Sequence, residues 1–146
     1  MSDIPVIVVD DDEIDRYVIK RRLQASQGFG PLSEAEDGDE FLDRFFTGSG
    51  GIAEDQPALI LMDINMLGLN GFETIEELQH RLAKDSRPRS VVILMYTTSD
   101  YAADRERANQ LPLVKGYLVK PLENEDIEKI RATYHANGPL AAGPGE

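Results

Sequence analysis

A chain of 146 residues with 41% hydrophobic content can bury one ordinary core, which predicts a single domain. It has no cysteine, so disulfides, thiolate metal sites and cysteine nucleophiles are excluded, and this usage suits a reducing, cytoplasmic compartment. A formal net charge of −12 argues against nucleic acid or anionic membrane as partners, since gripping either takes clustered Lys and Arg. The longest apolar runs, such as Val6 to Val9 and Ala58 to Met62, are too short to span a membrane, and the N-terminus lacks the basic start and apolar segment of a signal peptide.

Ile4 to Val9 is β-branched apart from Pro5 and stops at Asp10-Asp11-Asp12-Glu13, a buried strand followed by an acidic cluster able to cap a helix. That helix runs to about Ser26, with Ile19 and Leu23 on one face, Arg16 and Lys20 to Arg22 polar, and Gly28 and Gly30 ending it. Pro31 to Glu36 reads as an edge strand. Asp37-Gly38 makes a turn, and Phe41, Leu42, Phe45 and Phe46 form i, i+4 pairs on a second helix. Thr47 to Gln56 is a Gly-rich flexible loop, longer than most strand–helix connections. Leu59 to Met62 is a buried strand ending at Asp63, followed by a Gly-punctuated loop and a helix from about Gly71 to Lys84. After the Arg87-Pro88-Arg89 connector, Val91 to Tyr96 is another buried strand; Thr97-Thr98-Ser99-Asp100 then signals a helix start. The helix Tyr101 to Gln110 is polar and Ala-rich, with little to anchor it. Gly116 to Val119 is a last strand ending in Lys120-Pro121, and a helix from about Glu123 turns Ile127, Ile130 and Tyr134 inward. The domain is read as residues 1–136, with 137–146 a disordered, Gly- and Pro-rich tail. Five alternations of strand and helix predict an α/β fold, a parallel sheet covered on both faces.

Asp10, Asp11, Asp63, Thr97 and Lys120 each follow a predicted strand, and the strand ends of a parallel sheet share one edge. Three carboxylates gathered there repel one another unless a cation joins them, and an oxygen-only ligand set suits Mg²⁺ better than Zn²⁺. Asp63 then reads as a nucleophile toward phosphorus, with the Thr97 hydroxyl and Lys120 ammonium binding the oxygens of the transferred group. His80 and His135 are isolated on helices and read as solvated.

Four pieces in order, Val8-Val9-Asp10-Asp11, Leu61-Met62-Asp63-Ile64-Asn65-Met66 with Gly71, Thr97-Thr98-Ser99, and Gly116-Tyr117-Leu118-Val119-Lys120-Pro121, carry a resemblance. The chain resembles the receiver domain of bacterial two-component response regulators, over about residues 4 to 134. The resemblance implies a flavodoxin-like, five-stranded parallel sheet in the order 2-1-3-4-5 with five helices. It implies that Asp63 is the phosphorylated aspartate, that Asp10 and Asp11 hold Mg²⁺ together with Asp63 and the Asn65 backbone carbonyl, and that Thr97 and Tyr117 form the switch. A sensor histidine kinase or a phosphotransfer protein is the implied phosphodonor. The absence of an output domain after the last helix is similar to stand-alone receivers, including those that serve phytochrome-type kinases. Leu67 departs from the family pattern, which has Pro there.

The expectation is a signalling switch that modifies itself and turns over no external metabolite. The alternative is a pseudo-receiver, an interaction module that works without phosphorylation. A flavin carrier is disfavoured because Asp10 to Glu13 would repel a cofactor phosphate, and a haloacid-dehalogenase-type phosphatase because Asn65 stands where it needs a second Asp. The sequence leaves kinase, target and monomer or homodimer open.

Overall fold

Strands buried on both faces need apolar side chains at successive positions, and three segments supply them. In the structure, a computed structural model that describes residues 3–47, 56–85 and 90–137, these are β1 (Ile4–Val9), β3 (Ala58–Met62) and β4 (Val91–Thr97). They form the centre of a five-stranded parallel sheet flanked by β2 (Phe29–Ala35) and β5 (Val114–Val119), in the order β2-β1-β3-β4-β5. Between them run α1 (Glu13–Ala25), α2 (Gly38–Phe41), α3 (Gly71–Lys84), α4 (Ala102–Asn109) and, at the end, α5 (Asn124–Asn137). The fold is the flavodoxin-like arrangement expected.

Because side chains alternate along a strand, the central strands feed two separate cores. Ile7, Val9, Ile60, Met62, Ile93 and Met95 pack with Phe41 of α2, with Phe72, Ile75 and Leu78 of α3 and with Ala108 of α4. Val6, Val8, Leu59, Leu61, Val92 and Leu94 pack on the opposite face with Ile19 and Leu23 of α1 and with Ile127, Ile130 and Tyr134 of α5. The Tyr134 hydroxyl satisfies itself on the Pro57 carbonyl at 2.7 Å, so the ring sits in an apolar layer without an orphaned donor.

Several boundaries differ from expectation. β2 starts at Phe29, two residues before Pro31, because Phe29 pairs with Ile4 across a register irregularity. The second helix is α-helical only to Phe41 and continues as a π-turn over Leu42–Thr47; the change lies in hydrogen-bond register, and Phe41, Leu42 and Phe45 stay buried. β5 begins at Val114 rather than Gly116. The N-cap of α4 is Tyr101, which makes no side-chain cap bond, while Asp100 pairs instead with Arg105 at 2.7 Å. As expected, α4 is thinly anchored, with only Ala108 buried. Arg16, grouped above with the polar face of α1, is buried. The Gly-rich segment 48–55, the Arg87-Pro88-Arg89 connector, the Phe46 side chain and the predicted tail at 138–146 lie outside the described residues, and α5 itself runs through Asn137. Among the described residues no helix is long and apolar enough to cross a membrane.

Candidate acidic site at the strand ends

The sheet continues its hydrogen bonding one residue past β1, β3 and β5, and this fixes the polar residues that follow. Asp10 N–H donates to Ala35 O at 3.1 Å, Asp63 N–H to Val9 O at 3.0 Å, and Lys120 N–H to Thr97 O at 2.9 Å. Residues far apart in sequence therefore meet at one edge, as the strand-end pattern anticipates. The loop after β3 is drawn in close: Gly71 N–H donates to Ile64 O at 2.8 Å, and a Cβ at position 71 would lie 2.1 Å from the Asp63 carbonyl oxygen. Only glycine fits there.

Lys120 lies at the centre of the charges. Its ammonium donates to Asp10 Oδ2 and Asp15 Oδ2, each at 2.7 Å, and reaches Asp63 Oδ2 at 3.5 Å. Asp10 is nearly inaccessible, and its other oxygen accepts the Asp12 N–H at 2.9 Å. Asp63 is 7% exposed, and its Oδ1 accepts the Ile64 N–H at 2.8 Å. Burial raises the Asp63 pKa against the opposing Lys120 charge, with the Asp10 charge adding to the rise and the neighbouring Thr97 hydroxyl opposing it. Burial pulls the Lys120 ammonium the other way, but hydrogen bonds to Asp10 and Asp15 and the charge of Asp63 outweigh it, and its pKa is raised. Both members of the pair thus shift upward for different reasons. One carboxylate oxygen from each of Asp10, Asp11 and Asp63 lies within 4.8 Å of the others, with Asp11 exposed on the outer side.

Thr97 is fully buried at the end of β4, and its Oγ1 accepts the Ser99 N–H at 3.3 Å. Tyr117 of β5 is half-buried; its hydroxyl donates to Ser99 O at 2.8 Å, and the Arg105 guanidinium lies 4.6 Å over its ring. Ser99 also donates to Asp104 of α4. Thr97 and Tyr117 are in this way joined to the same short loop and to the lightly held α4. Asn65 is exposed, two residues beyond Asp63.

Two contributors escaped the sequence. Asp15, on the first turn of α1, is a short partner of Lys120 that no strand end announces. Arg16 donates to Asp10 O at 2.7 Å and to Glu34 Oε1 at 2.7 Å, while Lys20 binds Glu34 Oε2 at 2.5 Å, tying α1 to the edge strand behind Asp10. A signal for Arg16 did exist: it is three residues before Ile19 and seven before Leu23, on the same buried helical face.

The sequence profile of the response regulator receiver domain matches residues 6–131. The chain belongs to that family. This receiver is 27% identical over 124 residues to protein PilH of Pseudomonas aeruginosa, across 85% of the chain and 91% of PilH. Its fold superposes on the response regulator TrrA of Thermotoga maritima, solved in complex with Mg(2+)-BeF, with a TM-score of 0.67 and 25% identity over 89% of this receiver and 98% of that chain. The bacteriophytochrome response regulator RtBRR gives a TM-score of 0.71 and 26% identity over 92% of this receiver and 78% of that chain.

Proposed function

We propose that this receiver is a phosphorylation-driven switch in the cytoplasm, with Asp63 as the acceptor. The observation that carries the reading is the Asp63 carboxylate at the end of β3, beside the Lys120 ammonium and within 4.8 Å of ligand atoms from Asp10 and Asp11. An Asp63 oxygen bonds to the phosphorus of a phosphohistidine as the P–N bond breaks; the electron pair stays on the imidazole, which takes a proton from solvent. Lys120 and the Thr97 hydroxyl bind the oxygens of the transferred group. The cluster is oxygen-only and rich in negative charge, which fits a hard divalent cation. Asp10, Asp11 and Asp63, with the backbone carbonyl of Asn65, would hold Mg²⁺, which when bound offsets the charge on the phosphoryl oxygens. Likeness to TrrA, solved with Mg(2+)-BeF, supports that choice of ion.

Thr97 and Tyr117 share Ser99, so a shift of the Thr97 hydroxyl toward an added phosphoryl group is passed to Tyr117 and α4. Inverting a 1:99 equilibrium takes about 5.5 kcal/mol of preference for one state. New bonds from Lys120 and Thr97 to a charged group contribute about 1.5–3 kcal/mol each. The donor is a histidine kinase or a phosphotransfer protein; likeness to RtBRR supports a phytochrome-type kinase. The chain modifies itself and turns over no external metabolite.

Intact mass after incubation with acetyl phosphate and Mg²⁺ tests the reading. One added phosphoryl group that requires both the cation and Asp63 supports it; no adduct on the unmutated chain favours the phosphorylation-independent module instead.

A further inference from the structure

A lysine ammonium has three N–H donors, and two of those on Lys120 are committed at 2.7 Å to Asp10 and Asp15, leaving the contact with Asp63 at 3.5 Å. The two short partners are not equivalent. Asp10 has 1% side-chain exposure, whereas the Asp15 side chain is 37% exposed on the first turn of α1 and lies outside the three-carboxylate cluster. Even with a cation at Asp10, water cannot reach that carboxylate to replace the bond from Lys120, whereas water can resolvate Asp15 as the ammonium leaves. Asp15 is therefore the partner that Lys120 can give up.

We infer that Asp15 is a positioning residue: it holds the Lys120 ammonium short of Asp63 and releases it as a phosphoryl group arrives, and so sets the rate at which Asp63 is modified. The inference rests on Asp63 being the acceptor. With acetyl phosphate as donor, an Asp63 oxygen bonds to phosphorus, the bond from phosphorus to the acetate oxygen breaks, and acetate leaves with the electron pair. Lys120 keeps its protons throughout and turns from Asp15 Oδ2 toward a phosphoryl oxygen. The contact with Asp15 stabilises the state before transfer more than the transfer itself, so it slows the reaction.

The test compares initial phosphorylation rates of the full chain by acetyl phosphate with Mg²⁺ at fixed ionic strength, read as intact mass. Asp15→Asn is expected to react roughly three- to tenfold faster, the weight of one partly exposed charge-assisted bond. Asp15→Glu, which restores the charge, returns the rate toward that of the unmutated chain. Glu13→Gln removes the same charge from an exposed site without touching Lys120 and leaves the rate where it was. The inference is overturned if Asp15→Asn is no faster than the unmutated chain, if Asp15→Glu is as fast as Asp15→Asn, or if Glu13→Gln accelerates the reaction equally. A chain that takes up no phosphoryl group at all removes the acceptor reading and this inference with it. An unmutated chain that is phosphorylated and an unmoved Asp15→Asn remove the inference alone.

Discussion

A methyl group at position 71 has nowhere to go. The Cβ of Gly71→Ala would stand 2.1 Å from the Asp63 carbonyl oxygen, 3.0 Å from its carbon and 3.1 Å from Ile64 Cα. All three are backbone atoms, so no side-chain rotation relieves the clash, and the start of α3 must back away from the loop that carries Asp63. Overpacking of this kind costs about 1–3 kcal/mol, and loosening the hydrogen bond from Gly71 N–H to Ile64 O adds about 0.5–1.5 kcal/mol. The sum is about 1.5–4.5 kcal/mol, which for a chain of this size lowers the melting temperature by roughly 10 °C at mid-range. Urea unfolding is the cleaner assay: the midpoint falls while the slope stays constant, because the surface exposed on unfolding is unchanged. Phosphorylation of the folded variant slows as well, since Asp63, the proposed acceptor, moves with the loop. A midpoint equal to that of the unmutated chain would refute the claim that this close approach fixes the position of Asp63.

Other substitutions read the electrostatics. Burial and the Asp10 charge raise the Asp63 pKa, so the folded chain holds that proton to higher pH than the unfolded chain, and stability is lost as pH rises through the raised value. Without divalent cations, Asp63→Asn is therefore more stable than the unmutated chain at pH 7, and the advantage shrinks below the usual carboxylate range; an advantage constant with pH contradicts this. Hydrogen bonds from Lys20 and Arg16 hold the Glu34 pKa below its ordinary value, so its contribution is full above the usual carboxylate range and disappears as pH falls through the lowered value. Because the Glu34 side chain is 39% exposed, Glu34→Gln costs about 1 kcal/mol at pH 7 and nothing in strong acid, measured by urea midpoints. Mg²⁺ at one hundred times its dissociation constant stabilises the folded chain by about 2.7 kcal/mol, and Asp11→Asn loses most of that; equal stabilisation of the two chains would place the ion elsewhere.

The central strands were legible because β1, β3 and β4 are buried on both faces and read as continuous apolar runs. Each ends at a polar residue on the same edge, so the convergence of Asp10, Asp63 and Thr97 is legible in the sequence. Edges were harder. β2 and β5 are half-exposed and carry no such run, and each starts two residues earlier than its sequence pattern suggests. The π-turn after Phe41 escaped because i, i+4 pairing of aromatics looks the same in either helical register. Asp15 is invisible for another reason: α1 packs on β1 and β2, and only the assembled sheet brings its first turn to Lys120, a contact between residues 105 positions apart that no local pattern encodes. Arg16 is legible in principle, since its helical phase matches Ile19 and Leu23 and only its charge argues for solvent.

Borohydride trapping addresses the acyl phosphate proposed on Asp63 at the level of the bond. The chain is treated with acetyl phosphate and Mg²⁺, reduced, and cut into peptides for mass analysis, since hydride converts an aspartyl phosphate to homoserine. Homoserine at position 63, absent when either reagent is withheld, is the predicted result. Homoserine at another carboxylate, or none in a chain that gains phosphoryl mass, would contradict Asp63 as the acceptor.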